Sequence, residues 1–214
     1  MSPRPGGART ILLVAAGLLL TTCGGGVDAV EAPAAPTPSS DAAPWPAPSD
    51  PLERIAEAGL EPATHEFLNV HRHAHLDVFV NGEAVTVPAG IGIDISDPGV
   101  EVLETPAGEG YGGIEECDEP CISPLHTHDT TGVLHTEAGE ATTHTLGQLF
   151  VEWGVRLDGD CVGGYCAPQA RIQVFVDGER HEGDPTMIEL ADGQEIAIVI
   201  GSLPEEIPTT YDFG

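Results

Sequence analysis

The stretch HRHAHLDVFVNG, His71 to Gly82, decides how this chain is read. Three histidines stand at every second position and lead into an Asn-Gly pair. In a strand, successive side chains point to opposite faces. His71, His73, His75, Asp77 and Phe79 therefore share one face, and Ala74, Leu76, Val78 and Val80 share the other, with Arg72 at its outer end. The second face reads as core. The first is a row of imidazoles that a core does not require. Asn81-Gly82 between β-rich runs predicts a tight hairpin, because both central residues must accept positive φ.

A second histidine cluster, LHTHDTTGVLH, runs from Leu125 to His135. Alternate Cα atoms in a strand lie about 6.5 Å apart, so both rings of a His-x-His pair can reach one ion through bonds of about 2 Å. Imidazole is the commonest ligand for zinc and copper. The expectation is that the fold joins the clusters around a transition metal held by His71, His73, His75, His126, His128 and His135. Asp77, Asp129 and Glu137 are candidates to ligate, or to orient a ligating ring. His65, His144 and His181 stand apart. With Met1 and Met187 as the only methionines, a methionine-rich Cu(I) carrier is disfavoured.

Working outward, Ile172 to Gly178 repeats Leu76 to Gly82 in residue class, which predicts two related hairpins. Arg171 and Gln169 in this repeat occupy the places of His75 and His73, so the hairpin itself does not demand histidine. The return strand of the first hairpin is expected over Ala84–Pro88. Val133 to Glu137 reads as strand, and Glu195 to Ile200 as a central strand after an Asp192-Gly193 turn. Residues 95–123 read as loop. Asp50-Pro51-Leu52-Glu53 reads as the capped start of a short helix ending at Gly59. Thr143 to Gly154 reads as the main helix, with Thr145 as cap, Gln148 three residues later, and Leu146, Leu149, Phe150 and Trp153 at helical spacing. Residues 204–214 read as a loose tail. The expected architecture is mainly β: a small antiparallel β-sandwich or barrel with one packed α-helix.

The chain has 214 residues, no lysine, seven arginines, 35 acidic residues and a formal charge of −28. Such a surface repels nucleic acid and anionic lipid head groups and draws cations weakly and generally. Residues 1–22 carry Arg4 and Arg9 and then the apolar run Ile11 to Leu20, the anatomy of an export signal. Leu20-Thr21-Thr22-Cys23 resembles the lipobox of bacterial lipoproteins, departing from it at Thr22. That resemblance implies lipidation at Cys23 and anchoring to the outer face of the cell membrane. Residues 23–49, rich in Ala, Pro, Ser and Gly, read as a disordered tether. Residues 50–214 then form a single histidine-rich β-domain. In an exported domain Cys117, Cys121, Cys161 and Cys166 read as two disulfides, with three connectivities open, or else as thiolate ligands.

The blocks HxHxHLDVFVNG, VPAGIGI, LHTHDTTGVLH and TLGQLFVEWG together resemble an uncharacterised group of exported bacterial proteins, often lipoproteins. The resemblance covers roughly residues 68–154 and implies export rather than an activity. The leading functional expectation is a membrane-anchored protein that captures, buffers or delivers copper or zinc. One alternative is a metal-dependent enzyme, a cupin-like oxygenase or hydrolase, with an open coordination position. The glutamate that cupins carry soon after His-x-His is missing here. Another alternative is a pH-sensing interaction domain. No protein partner can be read from the sequence.

Overall fold

The computed structural model describes residues 42–67 and 69–213. The expected export signal at 1–22, the lipidation point Cys23 and residues 24–41 of the tether lie outside the described residues. In chain order come α1 (Pro51–Glu57), β1 (Val70–Val80), β2 (Glu83–Val85), β3 (Glu101–Thr105), β4 (Gly108–Gly112), β5 (Leu125–His126), β6 (Val133–Ala138), α2 (Leu146–Trp153), β7 (Cys161–Val162), β8 (Tyr165–Cys166), β9 (Ile172–Val176), β10 (Glu179–His181) and β11 (Gln194–Ile200). The fold is mainly β, and no closed barrel forms among the described residues.

The main sheet has the order β10-β9-β11-β1-β6-β5, with β2 also on β1. β1 is its axis. One edge of β1 pairs with β6 over Val70–His75 and with β2 over Val78–Val80, while the other edge pairs with β11. Both predicted hairpins are present. Asn81 and Gly82 have φ of 53° and 88°, and Asp177 and Gly178 have φ of 51° and 79°, the left-handed pairs that a two-residue hairpin requires. The first return strand is shorter than expected, Glu83–Val85.

The pairing is mainly antiparallel, as expected, with one exception: β1 and β11 run parallel, with Leu76 opposite Ile196 and Val78 opposite Ile198. β11 is buried on both faces from Glu195 onward, as parallel strands usually are. The long chain between β1 and β11 supplies the crossover that such a pair needs. Residues 95–123 also hold more than loop. Gly108, Gly110 and Gly112 belong to β4 of the β3–β4 hairpin, and Gly113 follows it.

The apolar face of the main sheet packs on α2. Ala74, Leu76, Val78, Leu134, Ile196 and Ile198 form one core with Leu146, Leu149, Phe150 and Trp153. α2 starts at the expected capping box: Thr145 Oγ1 accepts from the Gln148 amide, and Gln148 Oε1 accepts from the Thr145 amide. It ends at Gly154, whose φ of 71° suits a residue without Cβ. In α1 the expected Asp50 side-chain cap does not form, and Asp50 instead pairs with Arg54 at 3.5 Å.

The two ends of the domain depart most from expectation. Trp45, assigned by composition to the tether, is 3 % exposed. Its ring meets Trp153 edge-on at 5.7 Å, and its carbonyl accepts from Trp153 Nε1 at 3.3 Å. Composition averages over such a residue, yet a single indole brings enough apolar area to order its neighbours. At the other end the tail crosses the histidine-bearing face. Thr209 lies against Gly178, Tyr211 stacks on His75, and Phe213 lies over His73. Trp45→Ala is expected to lower unfolding free energy by about 3–5 kcal/mol, as measured by urea denaturation. An unchanged midpoint would return these residues to the tether.

Candidate metal centre

Strand register assembles the site. His73 of β1 stands opposite His135 of β6, and His135 stands opposite His126 of β5. One row of imidazoles therefore crosses three strands. Ring centroids are 4.5 Å apart for His73 and His135 and 5.4 Å apart for His135 and His126, the spacing expected of cross-strand neighbours. His71 stands opposite Glu137 in the next row on the same face. His128 follows His126 by two residues and closes on His135, with centroids 4.4 Å apart. Gly132 makes the approach of this segment possible. Its φ is 88°, and a Cβ there would lie 2.6 Å from the Leu76 carbonyl oxygen and 3.0 Å from the His75 ring.

The protons of two rings can be placed from their partners. His126 Nδ1 lies 2.8 Å from the Ser123 carbonyl oxygen, and His128 Nδ1 lies 2.5 Å from the Tyr111 carbonyl oxygen. A carbonyl only accepts, so each Nδ1 carries hydrogen and donates. In a neutral ring the opposite Nε2 then carries a lone pair, and the two Nε2 atoms face each other at 3.1 Å. Two lone pairs at that distance repel unless a cation sits between them. A backbone carbonyl holding the far nitrogen is the usual support of a ligating histidine.

The remaining donors converge on the same place. His71 Nε2 and His73 Nε2 are 2.9 Å apart. Glu137 Oε1 lies 3.2 Å from His71 Nε2, 3.6 Å from His135 Nδ1 and 3.8 Å from His126 Nε2. The Glu137 side chain is 3 % exposed, and its Oε2 has no hydrogen-bond partner among the described residues; nor has His135 Nδ1. Glu66 Oε1 stands 3.8 Å from His128 Nε2, and burial raises the Glu66 pKa. Two overlapping groups result, His126/His128/His135/Glu137 and His71/His73/His135, each with donor atoms within 4.8 Å of one another. Burial, reinforced by the neighbouring rings, holds His126 well below the ordinary imidazole value, and burial lowers His135 to about 4. Burial also lowers His73. These three shifts favour the neutral ring, the form that binds a metal.

His75, also expected as a ligand, lies outside these two groups and falls in a third with Asp77 and Glu195, whose donor atoms likewise lie within 4.8 Å of one another. Its Nδ1 lies 2.8 Å from Glu195 Oε2 and its Nε2 lies 2.8 Å from the Thr131 carbonyl oxygen. Both nitrogens face acceptors, so neither is a free lone pair. Burial alone would lower its pKa, but the Glu195 hydrogen bond and charge, the Thr131 carbonyl and Asp77 together raise it. Tyr211 stacks on the ring at 3.8 Å with an interplanar angle of 11°, which suits a cation against an aromatic face. The stacking of Tyr211 on buried His75 ties the tail to β1.

The carboxylates sort differently from expectation as well. Asp77 lies 3.8 Å from His75 and belongs to the third donor group, with His75 and Glu195. Asp129 accepts from the Thr131 amide at 2.9 Å and from its hydroxyl, so it shapes a turn and orients no ring. Glu137 sits inside the cluster. Glu66 was not visible as a candidate, since nothing local marks it. Glu195 could have been noticed as a charge opening an otherwise apolar strand. The cysteines pair locally, Cys117 with Cys121 and Cys161 with Cys166, which removes all four from ligation. His65 and His144 lie outside the donor groups, as does His181, which lines a different surface hollow.

A cavity of about 320 Å³ opens above the centre, lined by His73, His128, His135, Tyr211 and Phe213 among others. Comparison with known proteins finds no matching family model, no matching curated protein and no matching solved structure. Chemically, the arrangement is an all-nitrogen and oxygen donor set with neutral imidazoles, able to hold a metal ion.

The protonation pattern has a measurable consequence for the metal-free protein. A histidine whose folded pKa lies below its unfolded value of about 6.5 adds stability above that pH, and this stability is lost as pH falls toward the folded pKa. Metal-free stability is therefore expected to decline from about pH 6.5 toward 4, driven by His126 and His135. Ring nitrogen NMR shifts at pH 6 should show these two rings neutral and His75 doubly protonated. A protonated His126 at that pH would contradict the assignment.

Proposed function

We propose that this is an exported protein, tethered to the outer face of the cell membrane through lipidated Cys23, that binds copper or zinc and serves to capture, buffer or deliver it. The observation that carries the reading is the pair of Nε2 lone pairs of His126 and His128, fixed toward each other by backbone carbonyls. Nitrogen and carboxylate donors without thiolate suit Cu(II) and Zn(II). Two disulfides suit an oxidising compartment outside the cytoplasm. The charge of −28 raises the local cation concentration around the site.

The cavity favours a second reading. A small molecule can reach His73, His128 and His135 there, and a bound ion with an unfilled position could act on it as a metal-dependent enzyme. The first reading predicts a metal ion that survives dialysis in protein purified without an affinity tag. Replacing His126 and His128 together by Ala should weaken zinc affinity by at least about 100-fold, measured by chelator competition. His65→Ala and His181→Ala should leave it unaltered. Equal affinity in the wild type and the His126/His128 variant would refute the metal-binding reading. Exchangeable water on bound Cu(II) would favour the enzyme over the carrier.

A further inference from the structure

The centre offers more donors than one ion accepts. Five imidazoles and Glu137 converge, with Glu66 at the rim, whereas zinc at a structural site takes four ligands. The donors also fall into two sets. His71 with His73, and His126 with His128, are separate His-x-His pairs whose Nε2 atoms lie 2.9 and 3.1 Å apart. Two nitrogens bound at about 2.0–2.1 Å to one tetrahedral ion stand about 3.3 Å apart. Each pair is therefore already near the spacing one ion needs.

Glu137 stands between the pairs. Its Oε1 is 3.2 Å from His71 Nε2 and 3.8 Å from His126 Nε2, while its buried Oε2 has no hydrogen-bond partner among the described residues. A carboxylate reached from both sides, with an idle second oxygen in a buried position, is suited to bridge two cations.

The geometry points to a dinuclear centre: one divalent transition ion held by His126, His128 and His135, a second by His71 and His73, and the Glu137 carboxylate shared between them. This rests on the metal-binding reading above and deepens it. The two ions differ in character. The His126 side chain is fully buried, while that of His71 is 37 % exposed. The His71/His73 ion has fewer protein ligands, and His73 faces the cavity. That ion is the more readily exchanged of the two, while the cavity touches ligands of both, His73 of one and His128 and His135 of the other.

The test uses the full exported chain, loaded with Zn(II), dialysed against a weak chelator and assayed for metal and protein. The wild type is expected to hold two zinc ions, and the His71→Ala/His73→Ala variant one. The altered residues lie at the outer end of β1, away from the α2 core, and unchanged urea unfolding of the variant would confirm folding. Cu(II)-loaded wild type should also show the half-field paramagnetic resonance signal of a coupled pair, as ions about 3.5–4 Å apart do, and Glu137→Gln should abolish it. One ion in the wild type would overturn the dinuclear centre and leave metal binding standing. Two ions without coupling would overturn the shared carboxylate. No retained metal would overturn this inference and the metal-binding reading together.

Discussion

The register that links β1, β6 and β5 is the constraint on which the site depends. It places His73, His135 and His126 in one row and His71 opposite Glu137 in the next. A slip of one residue in any of these pairings would send the imidazoles to the other face. What fixes the register is the far side of the same strands. Ala74 faces Leu134 across β1 and β6, and both pack with Leu76 and Leu125 against α2. The energy that holds the histidine-bearing face in place is thus apolar burial behind it.

That division permits one chain segment to hold histidines in opposite states. On β1, His73 has a lowered pKa and lies within the donor cluster, while His75, two residues along, is raised and closed on Glu195. The difference is made by partners brought from far along the chain. β11 supplies Glu195 through its parallel pairing, with His75 directly opposite it. The loop after His128 supplies the Thr131 carbonyl. The tail stacks on this ring through Tyr211 and contributes Phe213 to the wall over His73. Parallel pairing, the buried His75–Glu195 contact and the tail are one connected arrangement beside the candidate metal centre.

What was legible in the sequence is what local physics determines. The two-residue alternation fixed Val70–Val80, positive φ fixed the turns at Asn81-Gly82 and Asp177-Gly178, and a capping box with a terminal glycine fixed α2. Five of the six expected histidine ligands converge: spacing of two puts His71 and His73 on one face of β1, while register across β6 and β5 brings His135 and His126 beside them, with His128 following. The parts that could not be read all depend on distant contacts. The parallel partner of β1 lies about 120 residues away, and Glu66 and Glu195 matter through what they face. Trp45 is ordered by Trp153, and Tyr211 by His75. His75 misleads for the same reason, since its spacing matches that of its neighbours and only its partners differ.

The central claim is that neutral imidazoles, and not the general acidity of the surface, hold the metal. X-ray absorption at the zinc edge, on protein loaded with zinc and dialysed, tests it most directly. The account predicts a nitrogen and oxygen shell at about 2.0–2.1 Å with the outer scattering of several imidazole rings and no sulfur near 2.3 Å. An oxygen-only shell without ring scattering would mean that zinc sits on surface carboxylates, and a sulfur shell would mean that the cysteines ligate. Either result would contradict the account.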